Sequence, residues 1–246
     1  MKKVLIIITL VLVPLIPKNL YSQIGIDIET GFIKSGYNDV RIPGNNGTLF
    51  SFSEDLKSDN EFFYRLRFKY KFGEKHNLSI LYAPLTINAK GKFDQDVKFQ
   101  DLTFISNTNI EGTYTFNSYR LTYRYELYLE KSIEFGLGLT AKIRDAEISL
   151  KNNLRESTKK NVGFVPLINF RLFLKLNKQF GFLLVGDALA APQGRAEDIL
   201  AAITYSASDK FMIKLGYRIL EGGADNNEVY TFSLINYFVI GVIFQL

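Results

Sequence analysis

Residues 61–73, EFFYRLRFKYKFG, decide the fold of this chain. Aromatic residues and leucine occupy every second position from Phe62 to Phe72, whereas arginine and lysine alternate with them from Arg65 to Lys71. Successive side chains of a β-strand point to opposite faces, so a strand separates the two sets and a helix mixes them. The stretch therefore predicts a β-strand with one apolar face and one cationic face.

The same period of two recurs along the chain. Residues 119–127 place tyrosine and leucine opposite arginine, threonine and glutamate. Further segments alternate in the same way: 24–33, 77–87, 133–143, 164–176, 180–189, 200–205, 211–220 and 230–246. Segments of about ten residues match the length that a tilted β-strand needs to cross a bilayer. The pattern therefore predicts an all-β fold, an antiparallel transmembrane β-barrel of about ten strands.

A soluble β-sandwich is the alternative, because its strands also alternate. So many apolar faces exceed what one sandwich core can bury, and the connections alternate between short and long as barrel connections do. We expect short periplasmic turns at 73–75, 128–132, 177–179 and 206–209, and long extracellular loops at 36–60, 90–111, 147–161, 191–198 and 222–227. Alternation inside the second long loop predicts that the third and fourth strands project beyond the membrane.

The first residues indicate a secreted protein. Two lysines precede an apolar run from Val4 to Leu15 that is too short for a comfortable membrane span, which is typical of a signal peptide. We expect cleavage after Ser22, which leaves residues 23–246 as one barrel domain. Cleavage removes three lysines and no acidic residue, so 30 Lys and Arg fall to 27 against 25 Asp and Glu. This nearly neutral balance argues against a nucleic-acid partner.

The C-terminal residues 229–246 are apolar enough to suggest a membrane helix. Thr231, Ser233 and Asn236 interrupt the run, and β-branched and aromatic residues dominate it. Such residues favour a pleated surface over a helix, so we expect a final strand here.

Four segments carry a resemblance to known families. Residues 238–246, FVIGVIFQL, resemble the closing strand that the barrel assembly machinery recognises in outer-membrane proteins, with leucine in the usual place of a terminal aromatic residue. The blocks 37–44 (YNDVRIPG), 116–125 (FNSYRLTYRY) and 220–226 (LEGGADN) resemble those of a little-characterised family of bacterial outer-membrane barrels. The resemblance implies a Gram-negative outer membrane, contact with its lipid and lipopolysaccharide, and assembly by that machinery. It implies no particular activity.

Enzymatic outer-membrane barrels generally use histidine at the extracellular rim. The single histidine, His76, falls in a predicted periplasmic turn, on the wrong side for such a site. Polar residues gather where the last four strands should emerge: the candidate catalytic carboxylates Asp187, Asp198, Glu221 and Asp225, with Arg195, Asn226 and Glu228 as ligand-binding or rim residues. This cluster is interpreted either as an acid and base pair or as a salt-bridged rim.

Cofactor chemistry finds no support in the sequence. Cysteine is absent, which excludes disulfides, thiolate metal sites and a lipid anchor on cysteine. The spacing of the rim carboxylates does not match a calcium loop. We therefore expect neither a metal nor a cofactor.

The inward faces of the predicted strands carry more cations than acids. The predicted lumen-lining residues are Arg65, Arg67, Arg120, Arg124, Arg171, Lys214 and Arg218. The predicted inward acids are Asp27, Glu29, Glu126, Glu134 and Asp187. Buried cations need partners, so the inward cations either form a closed plug with these acids or line a narrow path that favours anions. A small barrel leaves little room inside.

Three functional hypotheses follow from these patterns. The leading one is a non-enzymatic envelope role: structural, in surface interaction, or in restricted solute passage. The second is a hydrolase or lipid-modifying enzyme that uses the rim carboxylates. The third is a small anion-leaning pore.

Overall fold

Fifteen β-strands form in the computed structural model, which describes residues 23–192 and 194–246. The predicted signal peptide, residues 1–22, lies outside the described residues. The strands are β1 (Gln23–Arg41), β2 (Phe50–Ser51), β3 (Leu56–Ser58), β4 (Glu61–Phe72), β5 (His76–Ala83), β6 (Thr86–Gly91), β7 (Val97–Phe99), β8 (Leu102–Phe104), β9 (Ile110–Leu129), β10 (Ile133–Lys151), β11 (Glu156–Lys175), β12 (Phe180–Ala191), β13 (Gly194–Ser206), β14 (Phe211–Asp225) and β15 (Tyr230–Gln245).

Ten of these strands, β1, β4, β5 and β9 to β15, form a closed antiparallel barrel. Each pairs with the next along the chain, and the pairing of β1 with β15 closes the ring. This result confirms the predicted ten-stranded barrel, and β15 confirms a strand at the C terminus. None of the described residues forms a helix long and apolar enough to cross a membrane.

The two ends of the barrel differ. At one end, called the turn end here, only residues 73–75, 130–132, 176–179 and 207–210 connect the strands. At the other, the loop end, β6 continues the line of β5 and pairs with β9, and β3 pairs with β6. The projecting strands predicted from the second long loop are therefore present.

The structure corrects three predicted loop boundaries. Only residues 152–155 separate β10 from β11, residues 192–193 separate β12 from β13, and residues 226–229 separate β14 from β15. The wall continues past the apolar part of the barrel, where a strand no longer has to turn one face to hydrocarbon. Backbone pairing persists there while the alternation that marks a strand in the sequence fades.

An apolar belt covers the outer wall. Phe62, Leu139 and Leu215 are 76%, 69% and 67% exposed. Within residues 61–73 the outward face is aromatic as predicted, whereas Arg65, on the inward face, is 3% exposed. A continuous apolar surface of this kind is stable against hydrocarbon and unfavourable in water.

An apolar plug fills the interior at the loop end. It combines inward residues of the strands with residues from the two longest connections: Ile42, Phe50, Phe52, Leu56, Phe93, Val97, Phe99 and Phe104. Phe50 lies at its centre, with its ring centroid 5.6, 5.3 and 6.0 Å from those of Phe52, Phe93 and Phe99. The long connections therefore fold back into the barrel and pack there, which the sequence pattern did not predict.

Phe50→Ala should lower the free energy of unfolding by about 3–5 kcal/mol, because it removes the central ring and leaves a cavity. The neighbouring Leu49 is 48% exposed, so Leu49→Ala is the matched control and should change stability by less than about 0.5 kcal/mol. Urea unfolding of the barrel in lipid vesicles measures both. Equal effects of the two substitutions contradict a packed plug.

Candidate functional site

A layer of buried ion pairs crosses the barrel interior between the apolar plug and the turn end. We call it the ionic layer; its charged members are Asp27, Glu29, Arg65, Lys69, Arg120, Asp187, Asp198, Lys214 and Arg218. Because inward positions recur every second residue, the strands β1, β4, β9, β12, β13 and β14 each add charges to the layer without any special local conformation.

Asp198 of β13 is the centre of the ionic layer. Its carboxylate accepts hydrogen bonds from Arg65 Nη2 at 2.9 Å and from Arg218 Nη1, and Arg120 Nη2 lies 2.6 Å away. Three strands separate β13 from β4 on one side of the ring and from β9 on the other. The contacts of Arg65 on β4 and Arg120 on β9 therefore cross the lumen, whereas Arg218 lies on β14, next to β13 in the wall.

Asp187 of β12 lies beside Asp198 in the register of β12 and β13. It accepts hydrogen bonds from Arg120 Nη1 at 2.6 Å, Thr140 Oγ1 at 2.7 Å and Asn169 Nδ2 at 2.8 Å. Two adjacent carboxylates repel each other, and the Arg120 guanidinium relieves this repulsion by binding both.

The β1 side of the layer is arranged in the same manner. Lys214 Nζ donates to Asp27 at 2.5 Å and to Glu29 at 2.7 Å, and Lys69 Nζ donates to Asp27 at 2.7 Å. Glu29 also receives two hydrogen bonds from Arg218 at 2.8 and 2.9 Å. An arginine side chain can bind two acceptors at once, so Arg218 of β14 links the neighbouring strand β13 to β1, which lies beyond β15.

A vestibule of about 290 Å³ lies below the ionic layer, at the turn end. The predicted lumen residues Arg67, Arg124 and Arg171 line it. Arg124 pairs with Glu126 at 3.0 Å and Arg171 with Glu134 at 2.7 Å, while Arg67 donates to Ser79 at 3.3 Å. All seven lumen residues predicted from the sequence are thus brought inside the barrel, four in the ionic layer and three in the vestibule.

The predicted rim cluster is divided, and two of its members require correction. Asp187 and Asp198 are each 2% exposed and belong to the ionic layer, not to the rim. The predicted start of β13 at residue 200 lies six residues inside its observed start at Gly194. Asp198 therefore lies within the strand, at one of the alternate positions whose side chains point into the lumen.

The other rim residues lie at the loop end. Glu221 binds Arg195, with Nη2 at 2.8 Å, and accepts a hydrogen bond from Tyr37 Oη at 2.5 Å. Asp225 is exposed, and Asn226 Oδ1 accepts the backbone N–H groups of Glu228 and Val229 at 2.9 and 3.0 Å, which fixes the turn between β14 and β15. Glu228 is exposed beside that turn.

His76 begins β5 at the turn end. Its ring stacks on Phe72 with centroids 5.1 Å apart, and Nδ1 lies 2.9 Å from Tyr123 Oη. This position is at the opposite end of the barrel from the rim carboxylates, so His76 cannot act with them.

A pocket of about 540 Å³ opens at the loop end, and we call it the mouth pocket. One wall comes from β9, β10 and β11 and includes Phe116, Arg144 and Lys159; the other comes from the β14–β15 turn and includes Glu228 and Val229. The sequence pattern does not predict this pocket, because residues 147–161 are predicted to form a loop and not the strands that build one of its walls. The alternation of Lys159, Asn161 and Gly163 along β11 is too polar to mark a strand.

Two comparisons with known proteins find nothing: no protein-family model matches this chain, and no curated protein matches it. Among solved structures, the outer-membrane protease OmpT from Escherichia coli superposes with a TM-score of 0.60 at 11% identity, over 91% of this chain and 97% of OmpT. The chain has the fold of a Gram-negative outer-membrane β-barrel. The loop end is therefore extracellular and the turn end periplasmic.

Two further solved structures give lower scores. Ail, the attachment invasion locus protein of Yersinia pestis, has a TM-score of 0.41 at 9% identity, over 90% of this chain and 98% of Ail. The outer-membrane protein OprG from Pseudomonas aeruginosa has a TM-score of 0.39 at 14% identity, over 90% of this chain and 95% of OprG. The likeness to OmpT, at 11% identity, shows a common fold alone.

Asp198→Asn should lower the free energy of unfolding by about 3–5 kcal/mol, because it leaves three buried guanidinium groups without their shared negative charge. Asp225→Asn is the matched control: Asp225 is exposed at the extracellular end, so its loss of charge should change stability by less than about 0.5 kcal/mol. Urea titration in lipid vesicles compares the two. The central role of Asp198 is refuted if both variants unfold at the wild-type urea concentration.

Proposed function

We propose that this protein is a closed, non-conducting outer-membrane barrel that acts without catalysis, by binding at its extracellular mouth. The observation that carries the proposal is the ionic layer. Arg65 and Arg120 reach Asp198 from opposite sides of the ring and Arg218 reaches it from the neighbouring strand, so the side chains of Arg65 and Arg120 occupy the path that a solute would take.

The apolar plug supports the same proposal. It lies on the extracellular side of the ionic layer, and Phe52, Phe99 and Phe104 in it have no exposed surface. An ion that entered from outside would lose its hydration against aromatic rings, which is strongly unfavourable. Two successive barriers of different chemistry therefore oppose conduction.

An anion-leaning pore receives less support. Six of the seven predicted lumen cations form ion pairs: Lys214 binds Asp27 and Glu29, the three central arginines share Asp198, and Arg124 and Arg171 bind Glu126 and Glu134. Arg67 in the vestibule is the exception, since it binds Ser79 and no acid among the described residues. A pore that selects anions needs cations that face water and remain available to the passing ion.

A hydrolase that uses the rim carboxylates also receives less support. Asp187 and Asp198 are engaged with arginines below the mouth, and Glu221 is engaged with Arg195 and Tyr37. A general acid or base must reach the substrate proton, which these groups cannot do in their present pairs. OmpT is named a protease, but its likeness to this chain concerns the fold.

The mouth pocket supports a binding role. Its volume of about 540 Å³ lies within the range of small-molecule sites, and its walls combine aromatic and aliphatic side chains with a few polar groups. It opens at the loop end, so a ligand from the extracellular side reaches it without passing the plug.

Single-channel recording of the folded mature protein, residues 23–246, tests the proposal. The expected result is no steady current, because the ionic layer and the plug block the lumen. Heat-modifiable gel migration first establishes that the barrel is folded, and an open porin in the same bilayer provides the positive control. A steady, anion-selective current from the folded protein would show that the lumen is open and overturn the proposal.

A further inference from the structure

We propose that the mouth pocket binds an organic anion that carries an apolar body, such as a carboxylate, sulfonate or phosphate joined to an aromatic or aliphatic skeleton. This inference rests on the proposed function, in which the extracellular mouth is the binding surface. It adds the chemical class of the ligand, from the charge and the packing of the two pocket walls.

The cations at the pocket lack acidic partners, unlike those of the ionic layer. Within the described part of the chain, Lys142, Arg144 and Lys159 form no ion pair, although all three project inward from β10 and β11. Lys142 is only 2% exposed and lies just below the pocket. Lys142 and Arg144 lie two positions apart on the inward face of β10 and repel each other, and an anion at this wall relieves that repulsion.

Arg144 has donor capacity left for a ligand. Its Nη2 donates to Asn161 Oδ1, while its Nε is buried and has no hydrogen-bond partner among the described residues. The opposite residue on β11 is Gly163, where an added Cβ would lie 3.0 Å from Arg144 Nη2. The absence of a side chain at Gly163 therefore makes space for the guanidinium group of Arg144. A planar guanidinium group suits carboxylate, sulfonate and phosphate oxygens.

The same wall offers an apolar surface to the rest of the ligand. The rings of Tyr114 and Phe116 are stacked, with centroids 6.3 Å apart and an interplanar angle of 2°, and Ile148 packs beside Tyr114 in the register of β9 and β10. Lys142 Nζ lies 4.7 Å from the Phe116 ring centroid. An apolar body against these rings places its acidic group beside Arg144 and Lys159.

The facing wall carries little charge, so the cationic wall decides that the pocket prefers anions. Glu228 is the one carboxylate among the described residues that line the pocket, and it is exposed at the edge of the β14–β15 turn. Val229 and Ile42 add apolar contacts on that side. The cationic side chains and the aromatic rings thus share one wall, which distinguishes an amphiphilic anion from both a bare anion and a neutral apolar molecule.

The test uses 6-fluoro-2-naphthoate as the probe and follows its fluorine NMR linewidth with the folded protein in nanodiscs of zwitterionic lipid. Empty nanodiscs give the baseline for partitioning into lipid. We expect saturable binding of the naphthoate and affinity about tenfold lower for neutral 6-fluoro-2-naphthamide, because charge-assisted hydrogen bonds are lost. Unlabelled 2-naphthoate should displace the probe, and acetate should not. Equal affinities for the acid and the amide overturn the inference.

Matched variants locate the binding. Lys159→Gln should weaken naphthoate binding about tenfold. Lys160→Gln should leave it unchanged, because Lys160 projects outward from the same strand and pairs with Glu147 at 2.9 Å. Ala146→Trp retains every charge and fills the pocket, so it should abolish binding in a barrel that still shows heat-modifiable migration. Equal losses in the two lysine variants, or wild-type binding by Ala146→Trp, overturn the assignment.

The two proposals fail separately. A silent barrel that does not discriminate the acid from the amide overturns the ligand class and leaves the closed barrel standing. A conducting barrel whose naphthoate binding depends on Lys159 overturns the closed barrel and supports the pocket.

Discussion

Asp198 meets three arginines, two of which reach it across the lumen, and the rest of the interior depends on this contact. An apolar belt outside forces the intervening residues of every strand inward, where they must be paired or solvated. A buried cation without a partner is costly, so most inward arginine and lysine side chains lie opposite acids, and the buried Lys142 is an exception among the described residues. Asp198 meets this condition at the centre, and Glu29 and Asp187 extend it towards β1 and β12.

The interior is divided by chemistry along the barrel axis. Paired charges occupy the middle, aromatic side chains of the long connections fill part of the extracellular end, and the mouth pocket remains between that plug and the wall of β10 and β11. The charged residues in the middle and those at the mouth therefore have different roles. Charges in the middle neutralise one another and hold the walls together, whereas Arg144 and Lys159 at the mouth retain capacity for a partner from outside.

The candidate site was predictable only in part. Parity along each strand predicts which cations face inward, and the seven lumen residues follow from it. The acidic partners of these cations do not follow from parity, because Arg65 and Asp198 meet across the lumen although 133 residues separate them in the sequence. Asp198 falls in the predicted loop 191–198 but lies in the wall, because β13 begins six residues before its predicted start. Asp187 falls inside the predicted segment 180–189, and its inward position agrees with the parity of that segment. Phe93 and Phe99 lie in a stretch whose alternation indicates an extended chain. That pattern does not show that the stretch folds back into the barrel, so it does not mark these rings as part of a core.

The sequence by itself determined the fold class, the number of membrane strands and the face on which each strand is apolar. These properties can be inferred from residues that are close in sequence, because side chains two positions apart share one face of a strand, which meets either hydrocarbon or the lumen. Only the tertiary structure decided which charges pair across the lumen, that the long connections pack inside, and that a pocket with unpaired cations remains at the mouth. Those features depend on how the closed ring sets distant strands opposite one another, and alternation within a single strand carries no information about that distance.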